Sequence, residues 1–222
     1  MRGTTGTCGT TAATLDVSSD GGAQWRGASL TDLDGGEILA LDAGDPSVTR
    51  MVYLGGDCSP ELARSFVGGA DWEPTTGVEA SWFLHPAEPV SANSPGGRVQ
   101  LPCGAVSLDA AAERGIVLCE DARIAVTSDF GTTWSAPVAV AGAVAVALSG
   151  SGFAIAVESE GECRGIQAKR FVDGRLGEGG ACLEGEFPES SVVIAGSPHS
   201  SVLYAWAGDV LARSEDGGSS WI

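Results

Sequence analysis

The sequence predicts an all-β protein built from a series of small antiparallel sheets, and three observations carry that prediction. The first is a hairpin signature that recurs four times: Ser18-Ser-Asp20-Gly-Gly22-Ala-Gln-Trp25, Ser65-Phe-Val67-Gly-Gly69-Ala-Asp71-Trp72, Thr127-Ser-Asp129-Phe-Gly131-Thr-Thr133-Trp134 and Ser214-Glu-Asp216-Gly-Gly218-Ser-Ser-Trp221. Two copies even share the lead-in Leu-Ala-Arg-Ser, from Leu62 and from Leu211. Self-similarity of this kind marks a repeat architecture. The second observation is composition: 33 glycines and 43% hydrophobic residues in 222 suit many short strands joined by tight turns. The third is that the stretches between signatures are β-branched and apolar runs bounded by Gly, Pro and Asp.

The signature has a physical logic. An aspartate at a strand end accepts hydrogen bonds from the backbone of the turn that follows, and a glycine two positions later tolerates positive φ. The Ser or Thr two residues before the Asp satisfies another turn group, and the Trp opens the return strand as a large apolar plug with one N–H to place. On this reading Asp20, Asp129 and Asp216 are turn staples, not catalytic acids or metal ligands. Val67 stands where the second copy should have its aspartate, which a degenerate repeat allows and a shared catalytic role does not.

Taken in order, the first unit (about 1–34) has strands at Thr4 to Cys8 and Ala12 to Val17, the hairpin, and a return strand from Trp25 to Leu30; its innermost strand is missing. The second (35–90) runs Glu37 to Leu41, Thr49 to Leu54 and Glu61 to Ser65, with a return strand from Gly77 to Leu84. The third (91–141) has Ala105 to Leu108, Gly115 to Cys119, Arg123 to Thr127 and Pro137 to Val140. Signatures begin at Ser18, Ser65, Thr127 and Ser214, leaving gaps of 47, 62 and 87 residues, so the last gap must hold an eroded unit (142–188). Its strands are Ala143 to Leu148, Phe153 to Val157, Ile166 to Val172 and Ala181 to Leu183, with Asp173-Gly174 as the turn. The fifth (189–222) has Ser191 to Ala195, Val202 to Ala207 and Val210 to Ser214, and lacks its outermost strand.

The signature Ser/Thr-x-Asp-x-Gly-x-x-Trp resembles the Asp-box, or BNR repeat, of sialidases, sortilin-type receptors, xyloglucanases and photosystem II assembly factor-like proteins. The resemblance implies a β-propeller, here of about five four-stranded blades in one domain spanning 1–222, with each box joining the third and fourth strands of its blade. It implies boxes on the face opposite the usual ligand site, and it identifies a fold, not an activity. The ragged ends suggest an ectodomain clipped upstream.

Twelve Lys and Arg against 29 Asp and Glu give a net charge of −17, which repels a phosphate backbone or an anionic lipid surface. Nucleic acid is therefore not an expected partner. The most apolar run, Ala136 to Leu148, is too short to cross a bilayer, so no membrane insertion by this segment is expected. Six cysteines without a Cys-x-x-Cys pair, alongside only His85 and His199, point to disulfides and an extracellular or cell-surface setting, and away from a zinc site. No cofactor and no metal are expected.

On the propeller reading Cys8, Cys58, Cys119 and Cys163 fall in links between second and third strands, on the face opposite the boxes. Cys103 and Cys119 flank one hairpin, Cys163 and Cys182 another, and each pair can meet across antiparallel strands; elimination leaves Cys8 with Cys58, one of fifteen possible connectivities. The longest connection, His85 to Pro102, carries four prolines and reads as an irregular insertion. Trp82, Phe83 and His85 lead into it and Arg98 lies within it, making these four the candidate contact residues.

A sialidase-like site needs an arginine trio, a Tyr nucleophile with its Glu base and an acid Asp. The arginine motif is absent, and only Tyr53 and Tyr204 are available. There is no Gly-x-Ser-x-Gly elbow and no phosphate-cradling Gly-Lys-Ser/Thr loop. The expected function is a non-catalytic extracytoplasmic module that binds a protein or glycan. The alternatives are a glycoside hydrolase or its remnant, and a structural spacer of a membrane-anchored protein.

Overall fold

The computed structural model describes every residue except 46, 160–162, 188–191 and 209. Residues 1–86 form one compact unit and residues 87–222 another. In the first unit, β1 (Arg2–Thr4), β2 (Thr14–Val17) and β3 (Arg26–Gly27) make a three-stranded sheet, and β4 (Gly35–Asp45), β5 (Val48–Gly55), β6 (Pro60–Ser65) and β7 (Glu73–Thr75) a four-stranded one. A 3-10 turn at Val78–Ala80 leads to β8 (Phe83–His85).

The second unit opens with a hairpin of β9 (Glu88–Ser94) and β10 (Gly97–Gln100). Two four-stranded sheets follow. The first comprises β11 (Ala105–Ala111), β12 (Arg114–Cys119), β13 (Arg123–Thr127) and β14 (Val138–Ala139); the second comprises β15 (Ala143–Ser149), β16 (Gly152–Ser159), β17 (Gly165–Val172) and β18 (Arg175–Glu184). A three-stranded sheet of β19 (Val192–Ser197), β20 (Ser200–Ala207) and β21 (Val210–Ser214) completes the unit. All of these sheets are antiparallel meanders in chain order, the build of propeller blades, and no α-helix occurs among the described residues.

Alternation explains how the sheets stack. In the β15–β18 sheet Ala145, Ala147, Ala154, Ala156 and Ala168 point to one side, where they pack with Ile194, Leu203, Ala205 and Ala207 of the β19–β21 sheet. Val146, Leu148, Phe153, Ile155 and Phe171 point to the other side and pack with Ile116, Leu118 and Ile124 of the β11–β14 sheet. Successive side chains of a strand face opposite ways, so one sheet shows a small-residue face to one neighbour and a large-residue face to the other. In the first unit Leu15, Met51, Tyr53, Ala63 and Trp72 form the equivalent layer between two sheets.

Three expectations are corrected. The stretch from His85 to Pro102 is not an irregular insertion: it holds the β9–β10 hairpin, whose buried Ser91, Ala92 and Ser94 anchor it. Prolines there hide a strand pattern without preventing it, because Pro89 lies at the start of β9 and Pro95 in the turn, where a missing N–H is tolerated. The return strand of the second unit is β7, directly after Trp72, and not Gly77 to Leu84, because Gly77 at φ +103 turns the chain into the 3-10 segment. The first strand ends at Thr4, because Gly6 at φ +75 and the Thr7–Thr11 bridge turn the chain before Cys8. Ser191, the expected start of β19, lies outside the described residues.

Candidate functional site

The four signature hairpins share one hydrogen-bond scheme. The first hydroxyl accepts from the glycine four residues on: Gly22 N–H to Ser18 at 2.8 Å, Gly69 to Ser65 at 2.9 Å, Gly131 to Thr127 at 3.0 Å and Gly218 to Ser214 at 2.8 Å. Where aspartate is present the same hydroxyl donates to it, at 2.8 Å in all three copies. Each aspartate also accepts the N–H four residues on, from Gln24, Thr133 or Ser220. Thr133 and Ser220 add their hydroxyls at 2.6 and 2.7 Å. The carboxyls of Asp129 and Asp216 are held below the usual carboxylate range, first by those hydroxyls of Thr133 and Ser220 and then by the backbone N–H groups beside them. Asp20 is lowered by the Gln24 N–H and then by Ser18.

Each hairpin turns on two consecutive residues in the left-handed region, the second always glycine, at φ +99, +81, +81 and +91 for Gly22, Gly69, Gly131 and Gly218. The tryptophans close the turn differently. Trp25 and Trp72 donate their indole N–H to Gly22 and Gly69 carbonyls at 2.9 Å, whereas Trp221 reaches Ala181 at 3.1 Å and the Trp134 indole N–H lies buried without a hydrogen bond. The second copy keeps its shape without aspartate because Ser65 and Trp72 still hold Gly69 from both sides.

The hairpins also reach beyond themselves. Ser29 donates to the Ala70 carbonyl, joining the second hairpin to the chain just after β3, and Ala181 of β18 donates to the Gly218 carbonyl. A Cβ on Gly180 would meet that Gly218 oxygen at 2.0 Å. At the third hairpin the Phe130 Cβ would sit 3.3 Å from a Cβ on Gly96, in the β9–β10 turn.

The disulfides join Cys8 to Cys58, Cys103 to Cys119 and Cys163 to Cys182, the same pairs that strand placement suggested. In each unit they lie at the strand ends remote from the hairpins: β12 begins beside Thr127 and ends at Cys119, and β5 begins beside Ser65 and ends at Gly55, whose carbonyl lies next to Cys8.

At the disulfide end of the second unit lies a cleft of about 640 Å³. Its walls come from the starts of β11, β15 and β19 and from the link after β12, and Val106, Val144 and Val193 each stand second in their strand. Val106 and Val193 are 56% and 59% exposed. The register slips between Ala105 and Ser107 and again between Ala143 and Ala145, so Val106 and Val144 are bulged residues, turned out of the strand alternation. Glu120 lines the mouth, and its N–H bonds the Gly104 carbonyl; Glu158 repeats that bond on Gly142, itself a lining residue. Among the described lining residues none is aromatic.

The sequence-predicted contact residues fall elsewhere. Phe83 is 4% exposed and packs with Val52 and Leu62, so it is a core residue. His85 and Trp82 are half-buried, and the His85 ring meets Phe83 edge-on with centroids 5.2 Å apart. Arg98 is committed to Glu88, with a second bond to Ser91.

The Tyr53–Glu61 pair went unnoticed in the sequence. The two residues sit opposite each other on β5 and β6, and the phenol donates to Glu61 Oε2 at 2.6 Å. Burial, and then the Glu61 carboxylate, push the phenol up. A phenol held this firmly in its neutral form ties two strands together and is a poor nucleophile. Among the described residues no group of three His, Cys, Asp or Glu could hold a metal ion.

No protein family and no curated protein matches the sequence. Solved structures do show a likeness. The chain is similar to Saccharomyces cerevisiae Sqt1 (14% identity, TM-score 0.44, covering 95% of this chain and 67% of that one). It is also similar to YCF48 from Cyanidioschyzon merolae (18%, 0.38, 94% and 63%) and to a Niastella koreensis GH74 enzyme (16%, 0.46, 95% and 35%). These are β-propeller proteins. Similarity at this level says nothing about activity, and the chain spans 63% of that YCF48 and about a third of the GH74 enzyme.

Proposed function

We propose that residues 1–222 form a single Asp-box propeller-type domain that acts as a non-catalytic, extracytoplasmic binding module and presents the disulfide end of its second unit to a protein or glycan. The observation that carries this reading is the cleft at the disulfide end of the second unit, where exposed β-branched side chains stand in a concave site. Exposed apolar surface gathered in a concavity is characteristic of recognition sites. Three disulfides fit an oxidising compartment. The aspartates of the signature support the non-catalytic reading, because each carboxylate accepts hydrogen bonds from its own turn. Glycoside hydrolysis uses two carboxylates across the bond that breaks, and the lining of the cleft offers Glu120 alone among the described residues.

The test is a screen of the disulfide-intact protein on glycan and peptide arrays, beside a Val106→Asp/Val193→Asp variant. Binding that disappears in the variant, with thermal unfolding unchanged, is the expected result. Binding that survives it, or release of nitrophenol from aryl glycosides, overturns the reading.

A further inference from the structure

We propose that the cleft of the second unit takes an extended aliphatic peptide segment flanked by Lys or Arg. The inference rests on the binding-module reading above and narrows it to one class of partner. The apolar half of the argument is the repeat of Val106, Val144 and Val193 at the second position of three inner strands. Val106 and Val193 leave more than half of their surface in solvent, Val106 being turned outward by a one-residue bulge, while Val144, bulged likewise, lines the cleft from its packing against the core. Ala122 extends the aliphatic wall. Sugars are commonly held against aromatic faces, and the described lining has none; short branched side chains suit methyl-bearing residues of an extended peptide.

The charged half is Glu120, the one carboxylate among the described lining residues. Glu120 and Glu158 occupy equivalent places, each with its N–H on the carbonyl of the glycine that precedes an inner strand, Gly104 and Gly142. The lining contains no basic residue among those described, and the whole chain carries −17. A cationic flank on the ligand therefore meets complementary potential at the mouth and across the molecule, while an anionic flank is repelled.

The test uses defined peptides. Methyl-labelled protein is titrated with Ac-Lys-Val-Ile-Val-Lys-amide, with Ac-Glu-Val-Ile-Val-Glu-amide and with Ac-Lys-Ser-Thr-Ser-Lys-amide, reading the methyl resonances of Val106, Val144 and Val193. The expected result is saturable movement of those methyls with the first peptide alone. Glu120→Gln then weakens it roughly two- to fivefold, the span of an exposed ion pair, and 0.5 M salt does so at least as strongly. Val106→Asn/Val193→Asn abolishes the movement of the remaining Val144 methyls without lowering the unfolding temperature, since both replaced side chains are mainly exposed. Equal binding of the Glu-flanked or the polar peptide, or indifference to Glu120→Gln and salt, overturns the inference. Unmoved methyls with every peptide overturn it as well; if an array hit moves them instead, the binding-module reading stands alone, and if nothing does, both fall.

Discussion

Gly217 and Gly218 are adjacent, both lie in the left-handed region, and alanine at the two positions should behave very differently. Gly217 has φ +73, and a Cβ there meets nothing closer than Arg170 Cδ at 3.5 Å. Gly217→Ala therefore costs only the conformational penalty, about 1 kcal/mol. Gly218 has φ +91, and its Cβ would lie 2.4 Å from Ala168 Cβ. Relief of that overlap must move the hairpin or β17, and overpacking of this kind adds about 2 kcal/mol to the conformational cost. Moving the hairpin also strains the Gly218 N–H to Ser214 and the Ala181 N–H to the Gly218 carbonyl. Near about 3 °C per kcal/mol, the expected losses are about 3 °C for Gly217→Ala and about 9 °C for Gly218→Ala. Differential scanning calorimetry, with intrinsic tryptophan fluorescence as a second probe, measures both. Equal losses, or a Gly218→Ala protein as stable as Gly217→Ala, would refute the claim that this glycine is needed for space as well as for conformation.

Three other outcomes are expected. The Asp20, Asp129 and Asp216 carboxyls are lowered in the folded chain, so their stabilisation is present above the unfolded carboxylate value near about 3.9 and is lost as pH falls through the folded values; the triple Asn variant should show a flatter acid limb in unfolding temperature between about pH 5 and 2. Loop length ranks the disulfides: Cys8→Ser/Cys58→Ser, across a separation of 50, should cost about 4 kcal/mol, and Cys103→Ser/Cys119→Ser, across 16, about 3, as read from denaturant midpoints. Tyr53→Phe leaves the buried ring in place but removes its bond to Glu61, and urea unfolding should show a loss of about 1 to 2 kcal/mol with no change in binding at the cleft.

Much of the fold was legible because turns are written in local chemistry. The bounds of β13 and β21 match the sequence reading residue for residue, since each ends in the hydroxyl that begins a hairpin. The box-less turn at Asp173-Gly174 was equally plain, and the structure gives both residues positive φ, 50 and 74. What stayed hidden was non-local. Pro86, Pro89 and Pro95 concealed the β9–β10 hairpin, whose strand character comes from buried Ser91, Ala92 and Ser94. The cleft was invisible because Val106 and Val144 sit inside the strand runs Ala105 to Leu108 and Ala143 to Leu148, and only the register slips take them out of the alternation. Phe83 was misread for the converse reason, since exposure cannot be inferred for one aromatic among Trp82, Phe83 and His85.

The bonds from Ser29 to Ala70 and from Ala181 to Gly218 bear on how such a chain can grow. A hairpin that carries its own folding instructions and also rests on the strand before it is a portable joint: copied together with that strand, it brings a matching seat with it. Strand sets without a signature can then stand between joints, the β9–β10 hairpin and the β15–β18 sheet here, which is how spacings of 47, 62 and 87 residues coexist in one chain. A joint seated on both sides can even lose a defining residue and persist, as the hairpin with Val67 in place of aspartate has done.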